Sequence, residues 1–166
     1  TPVLVKITWY WGFTLSVFFS RHSYHVKACP RSEHGRYLKM NLSKIHHVAI
    51  IVSDYEAARD FYVNRLGFSV VRENYRLERK DWKLDLRINE HTELEIFAEA
   101  DPPKRVNRPE ACGLRHLAFC VGSVEQTVKE LEEVGVVCEP IRVDEYTGKK
   151  MTFFHDPDGL PLELHE

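Results

Sequence analysis

The sequence predicts an α+β fold built from two tandem βαβββ modules that form a curved mixed sheet around a metal site. Three observations carry this. His46-His-Val-Ala-Ile-Ile-Val-Ser-Asp54 recurs as Arg115-His-Leu-Ala-Phe-Cys-Val-Gly-Ser123. Leu94-Glu95-Ile96 recurs as Leu162-Glu163-Leu164. Each copy thus holds an early histidine and a late glutamate, 48 residues apart in the first and 47 in the second. Repetition at this period means two supersecondary units packed about a pseudo-twofold axis.

The first module, 44–100, opens on Ile45–Val52, apolar on both faces like a strand buried on both sides. Ser53-x-x-Glu56 forms a capping box, with Asp54 a rival cap. Tyr55, Ala58, Phe61, Tyr62 and Leu66 follow at helical spacing, and Gly67 closes the helix. Strands are expected over Phe68–Tyr75, Trp82–Ile88 and Thr92–Ala98, the last two joined by a turn at Asn89-Glu90-His91. A Pro-rich, charged linker from Asp101 to Gly113 has no period.

The second module, 113–166, repeats the plan. Leu114–Val121 is a strand, and Ser123-x-x-Gln126 is a second capping box. Val124, Val128, Leu131 and Val134 form a helical stripe that stops at Gly135. Val136–Val143, Lys150–His155 and Leu160–His165 are expected strands. Tyr146-Thr147-Gly148 and Asp156-Pro157-Asp158-Gly159 carry turn chemistry.

Residues 1–39 read differently. Trp9 to Phe19 is an apolar run of 11 residues, too short to span a bilayer, which takes roughly 18 or more. The basic and histidine residues between Arg21 and Arg36 follow no period. A non-native or disordered extension is expected there, ahead of a domain spanning 40–166. A net charge of −2 without a basic block gives no reason to expect a nucleic-acid partner. No segment asks for a membrane. Four scattered cysteines (Cys29, Cys112, Cys120, Cys138) form no CxxC pair, so neither a thiolate zinc site nor a disulfide framework is expected, and a reducing cytoplasm is the simplest home.

Side chains alternate along a strand. His47, Ala49 and Ile51 therefore share one face, Glu93, Glu95 and Phe97 another, and in the second copy His116, Ala118, Cys120, Glu163 and His165 match them. The expectation is that His47, Glu95, His116 and Glu163 all point into one concave surface. Two imidazoles and two carboxylates suit one divalent ion: Zn, Ni, Co, Mn or Fe. A bare carboxylate inside an apolar strand is expensive, and a cation on the same face removes the objection. The bland alternative, a hydrogen-bonded core histidine, fits one histidine better than two at equivalent positions.

Other residues read more plainly. His46 faces away from His47. Glu93 and His165 could orient a ligand, although solvated rim positions are the simpler reading. Arg115, Arg142, Lys149 and Lys150 could meet an anionic substrate, and surface charge explains each of them equally well. Trp82 and Phe154 read as core before pocket. The cysteines read as small hydrophobes.

His47-Val-Ala-Ile, Phe61-Tyr62 with Leu66-Gly67-Phe68, Leu94-Glu95-Ile96, His116-Leu-Ala-Phe and Asp156-Pro-Asp-Gly-x-x-x-Glu163-Leu164 together resemble the vicinal oxygen chelate superfamily. The resemblance covers Lys44 to Glu166, and the His, Glu, His, Glu order is similar to bacterial glyoxalase I, a lactoylglutathione lyase. It implies a metal-dependent lyase or isomerase, with Ni or Zn held by His47, Glu95, His116 and Glu163. A small oxygenated substrate, thiol adducts included, would react through a metal-stabilised enediolate. Glu163 is implied as the catalytic base and Glu95 as the alternative. A homodimer is also implied, with the site inside one chain or shared between two. Ile51 and Glu99 stand where glyoxalase I has glutathione-binding residues, so the resemblance extends to the metal cradle and not to that pocket. The alternatives are another metal enzyme of the superfamily (thiol transferase, epimerase or dioxygenase) or a non-catalytic binder of the bleomycin-resistance kind.

Overall fold

The computed structural model describes residues 3–8, 14–19 and 41–166. The chain falls into two compact units, Thr1–Asn41 and Leu42–Glu166. In the first, β1 (Val3–Thr8) and β2 (Thr14–Phe19) form an antiparallel hairpin. The rest of the extension expected over 1–39, with its basic and histidine residues and Cys29, lies outside the described residues.

The second unit holds the repeat. Its first module contains β3 (His47–Val52), α1 (Tyr55–Arg59, continuing as a π-helical turn over Asp60–Arg65), β4 (Ser69–Arg76), β5 (Asp81–Arg87) and β6 (Glu93–Ala98). Its second contains β7 (Leu117–Cys120), α2 (Val124–Glu133), β8 (Arg142–Val143), β9 (Lys150–His155) and β10 (Pro161–His165). The sheet orders are β3-β6-β5-β4 and β7-β10-β9-β8. Each sheet is mixed: β3 runs parallel to β6 and β7 parallel to β10, and the other pairs are antiparallel. The α+β class and the two-module plan hold, as two four-stranded sheets.

Local chemistry explains the boundaries. Asp54, not Ser53, caps α1, accepting from the Ala57 N–H at 3.0 Å. Ser53 is drawn away because its N–H donates to Asp158 of the other module at 2.9 Å. The α1 ladder widens where Leu66 N–H donates to Phe61 O at 2.9 Å, a π-type step. That step buries the neighbours Phe61 and Tyr62 together. Gly67 and Gly135 leave their helices at φ +75° and +76°, the left-handed conformation a helix terminator adopts. Ser123 caps α2 through the Gln126 N–H, but the Gln126 side chain turns to Glu130, so the box is only half closed.

Two expected strands are shorter than anticipated. Of Leu114–Val121 only Leu117–Cys120 pairs, because Arg105 takes the Leu114 and Arg115 carbonyls. Of Val136–Val143 only Arg142–Val143 pairs. Val136 N–H returns to Leu131 O to finish α2, and Pro140 has no N–H to offer a ladder.

One core serves both modules. Ile50, Val52, Leu94 and Ile96 from the first sheet and Leu162, Leu164 and Phe154 from the second join Phe61, Tyr62, Val124 and Leu131 from the helices. Truncating a fully buried leucine such as Leu94 or Leu162 would cost about 2–5 kcal/mol. The Asp156–Gly159 turn ties the modules: Tyr62 Oη donates to Asp156 at 2.9 Å, and Asn107 Nδ2 donates to Gly159 O at 2.9 Å.

Candidate functional site

The alternation along β3, β6 and β10 decides where the candidate ligands point. Val48, Ile50 and Val52 turn inward, as do Leu94, Ile96, Leu162 and Leu164. His47 and Glu95 therefore project from the opposite face of the first sheet. Ala49 lies directly across from Glu95, which puts the glutamate one pleat from His47. In the second module Glu163 pairs across from Ala118, two residues after His116, and repeats the arrangement.

The structure brings these residues together as two pairs. His47 Nε2 is 3.9 Å from Glu95 Oε2, and His116 Nε2 is 3.0 Å from Glu163 Oε2. With bonds of about 2.1 Å, two donors on one ion stand about 3.0 Å apart at a right angle and about 3.4 Å apart at a tetrahedral one. The His116–Glu163 pair is therefore spaced like two ligands of a common cation, and the His47–Glu95 pair, at 3.9 Å, stands wider than either spacing. Glu163 is buried, 7% exposed, and His116 is its ion-pair partner. An apolar strand that buries a carboxylate against an imidazole suits a cation.

The pairs do not meet within one chain. Among the described residues no group of three or more His, Cys, Asp or Glu side chains is placed to hold a metal ion. The expectation of all four ligands on one concave surface is thus corrected for the single chain. The physical reason is the shared core: both sheets spend their inner faces on it, so the two ligand faces point away from each other.

Surrounding residues divide clearly. The His116–Glu163 face opens into a cavity of 1410 Å³ that also reaches Arg115, Arg142, Tyr146 and Phe153. The His116 ring meets Phe153 edge-on at 5.4 Å, and the Arg142 guanidinium lies 5.5 Å from the centre of that ring. Arg115 is paired with Glu110. Lys150 is bound to Glu125 at the start of α2. Glu93 pairs with Arg87 at 3.0 Å, and His165 stands 3.8 Å from Asp144. His46 is exposed and touches the His47 ring through Nδ1 at 3.0 Å. Trp82 stacks on Tyr55 at 4.5 Å, and Phe154 is buried near Phe61, so both are packing residues. Cys112, Cys120 and Cys138 are free thiols, and burial pushes the Cys138 thiol up.

Sequence reasoning missed Lys83 and Asp85 on β5. Lys83 Nζ donates to Glu95 Oε1 at 3.0 Å and sits 3.3 Å from the fully buried Asp85. Arg72 Nε donates to Asp85 from the other side at 2.8 Å. The signal was there: Lys83, Asp85 and Arg87 alternate with Leu84 and Leu86, which puts three charges on the ligand face.

Known proteins are similar to this chain. A Bacillus subtilis protein, YwkD, is 58% identical over 127 residues, covering 76% of this chain and 99% of its own. YaeR of Escherichia coli is 52% identical over 127 residues, covering 76% and 98%. The crystal structure of a glyoxalase family protein from Enterococcus faecalis is 57% identical, with a TM-score of 0.73 and coverage of 76% and 100%. More distant are Glyoxylase I 4 of Arabidopsis thaliana and the mitochondrial methylmalonyl-CoA epimerase of Bos taurus, each 28% identical. The Glyoxalase/Bleomycin resistance protein/Dioxygenase superfamily profile matches residues 44–164, the span that holds both His–Glu pairs. With the repeat, the paired sheets and this match in agreement, the chain belongs to that superfamily.

Proposed function

We propose that this protein is a metal-dependent lyase or isomerase of the glyoxalase I type, acting on a small oxygenated substrate such as a thiol adduct. The observation that carries the reading is the pair of equivalent His–Glu couples on the outward faces of the two sheets, the second of them at ligand spacing. His47 and Glu95 would supply half of a four-ligand centre for Ni or Zn, with Co, Mn or Fe as lesser options, and His116 and Glu163 the other half. Because the faces diverge within the chain, the centre is completed in a homodimer by the first module of one copy and the second module of its partner. The edges of β3 and β7 support this, since neither strand has a second neighbour among the described strands. Exposed Ile51 on β3 and Cys120 on β7 lie beside those edges, as surfaces awaiting a second copy would.

When bound, the ion would supply Lewis acidity, lowering the cost of negative charge on a substrate oxygen. The chain's own residues do the rest. Glu163, buried and oriented by His116, takes a proton from a substrate carbon and returns it to the neighbouring carbon. Glu95 is the alternative base, but Lys83 already holds one of its oxygens. Phe153, edge-on to the His116 ring, gives the cavity an apolar wall beside the Glu163 carboxylate. The free thiols fit a reducing cytoplasm.

The test is proton transfer by the metal-loaded protein on hemithioacetals of several thiols, with Glu163→Gln beside it. Loss of turnover by about 10²–10⁴-fold with the metal retained is expected. Full turnover in the variant would overturn the assignment of the base.

A further inference from the structure

The repeat is not symmetric around its two glutamates. On β5, Asp85 pairs directly across from Glu95, and Lys83 pairs across from Phe97, the next residue on the same face of β6. On β9 the equivalent positions are Phe153, across from Glu163, and Met151, across from His165. The first glutamate thus has charged neighbours where the second has apolar ones.

The charges beside Glu95 form a chain. Arg72 Nε donates to Asp85 Oδ2 at 2.8 Å. Asp85 is 0% exposed, and its Oδ1, which has no hydrogen bond, lies 3.3 Å from Lys83 Nζ. Stripping a buried carboxylate of a cation is expensive, so Asp85 fixes the ammonium in place. Lys83 Nζ donates in turn to Glu95 Oε1 at 3.0 Å. Glu95 Oε2 faces His47 at 3.9 Å. Both oxygens of Glu95 are therefore directed, one of them by a charge-assisted hydrogen bond. A proton arriving on Oε1 would have to displace Lys83. Glu163 instead meets His116 through Oε2, and among the described residues no lysine or arginine pairs with it.

We infer that Lys83 is a positioning residue that gives the two glutamates different tasks. Anchored on Asp85, it fixes Glu95 as a standing ligand and leaves Glu163 as the carboxylate that moves a proton. The inference rests on the metal-enzyme reading above and adds what distinguishes its two halves.

The test compares Lys83→Met, which copies the second module's Met151, with Lys83→Arg, which keeps a cationic donor. Each is made alone and together with Glu163→Gln, and metal content is measured in every sample. With cobalt as the loaded ion, the visible spectrum should change in Lys83→Met, where Glu95 is no longer held by one oxygen, and should stay that of wild type in Lys83→Arg. On hemithioacetals, Glu163→Gln should cost about 10²–10⁴-fold in wild type but less than about tenfold beside Lys83→Met, where Glu95 is released to act as base. Beside Lys83→Arg the full loss should remain. If Lys83→Met fails to fold, adding Asp85→Asn removes the buried charge it leaves behind. A cobalt spectrum unchanged by Lys83→Met would overturn the inference, whether or not a hemithioacetal is turned over. An equal Glu163→Gln loss with and without Lys83→Met would also overturn it. Either result with metal bound leaves the metal-enzyme reading standing, and no bound metal in wild type overturns both.

Discussion

A centre shared between two copies can be tested by mixing two inactive variants. His47→Ala breaks the first-module half-site, and Glu163→Ala breaks the second-module half-site. Each variant alone should hold little metal, because every site lacks a ligand. When the two are unfolded together and refolded at equal amounts, about half of the dimers are mixed. In a mixed dimer one site combines both damaged halves and the other combines both intact halves. About a quarter of all sites should therefore be restored, in metal content and in turnover. The magnitude follows from the geometry: His47 pairs with Glu95 and His116 with Glu163, on faces directed away from a common core. Metal analysis after gel filtration reads the result. A site built within one chain would recover nothing, and that result would refute the shared-site reasoning.

Two further predictions concern the scaffold. Tyr62→Phe removes the donor to buried Asp156 at 2.9 Å, which ties the first helix to the second module. It should cost about 1–2 kcal/mol in urea unfolding, and no measurable loss would mean the tie carries no weight. For pH dependence, hydrogen bonds from Arg76 hold Asp81, the Thr147 and Tyr146 N–H groups hold Asp144, and Asn64 and Arg65 hold Asp60, each below the ordinary aspartate value of 3.8. Folded values below unfolded ones mean stability that is present above 3.8 and lost as pH falls through the folded values. Asp156 acts oppositely, since burial raises its carboxyl and acid relieves part of that cost. The Tyr55 hydroxyl lowers Glu73 and the Lys150 ammonium lowers Glu125, as the three aspartates are lowered, so five carboxylates against one predict a urea midpoint that falls between about pH 5 and about pH 3, and a flat or rising midpoint would contradict this sign.

The modules, the helices and the faces on which His47, Glu95, His116 and Glu163 lie were legible because each rests on local pattern. Periodicity marked α2, the alternation around Glu95 marked β6, and Lys150–His155 matches β9 residue for residue. The missed features depend on the other module or on a competing bond. Ser53 is held by Asp158, 105 residues away, and Asp54 caps α1 in its place. Val136–Val143 forms a strand at only two residues because α2 takes the Val136 N–H and Pro140 has none, which leaves Glu139 a single backbone bond to Phe153 O ahead of β8. The repeat shows that the His–Glu pair occurs twice, but packing decides whether the two pairs face each other. Nothing local to His47 or His116 encodes that the helices would merge both inner faces into one core. Lys83 and Asp85 escaped notice because charge alternating with leucine reads first as an amphipathic strand.

The central claim is that His47, Glu95, His116 and Glu163 hold one divalent ion. It is tested most directly by metal content per chain after reconstitution with Ni, Zn, Co, Mn and Fe, for wild type and Glu95→Ala. About one ion per chain, lost or much weakened in the variant, is the predicted result. An absence of bound metal in wild type under all five conditions would contradict the account and favour a small-molecule binder without a catalytic centre.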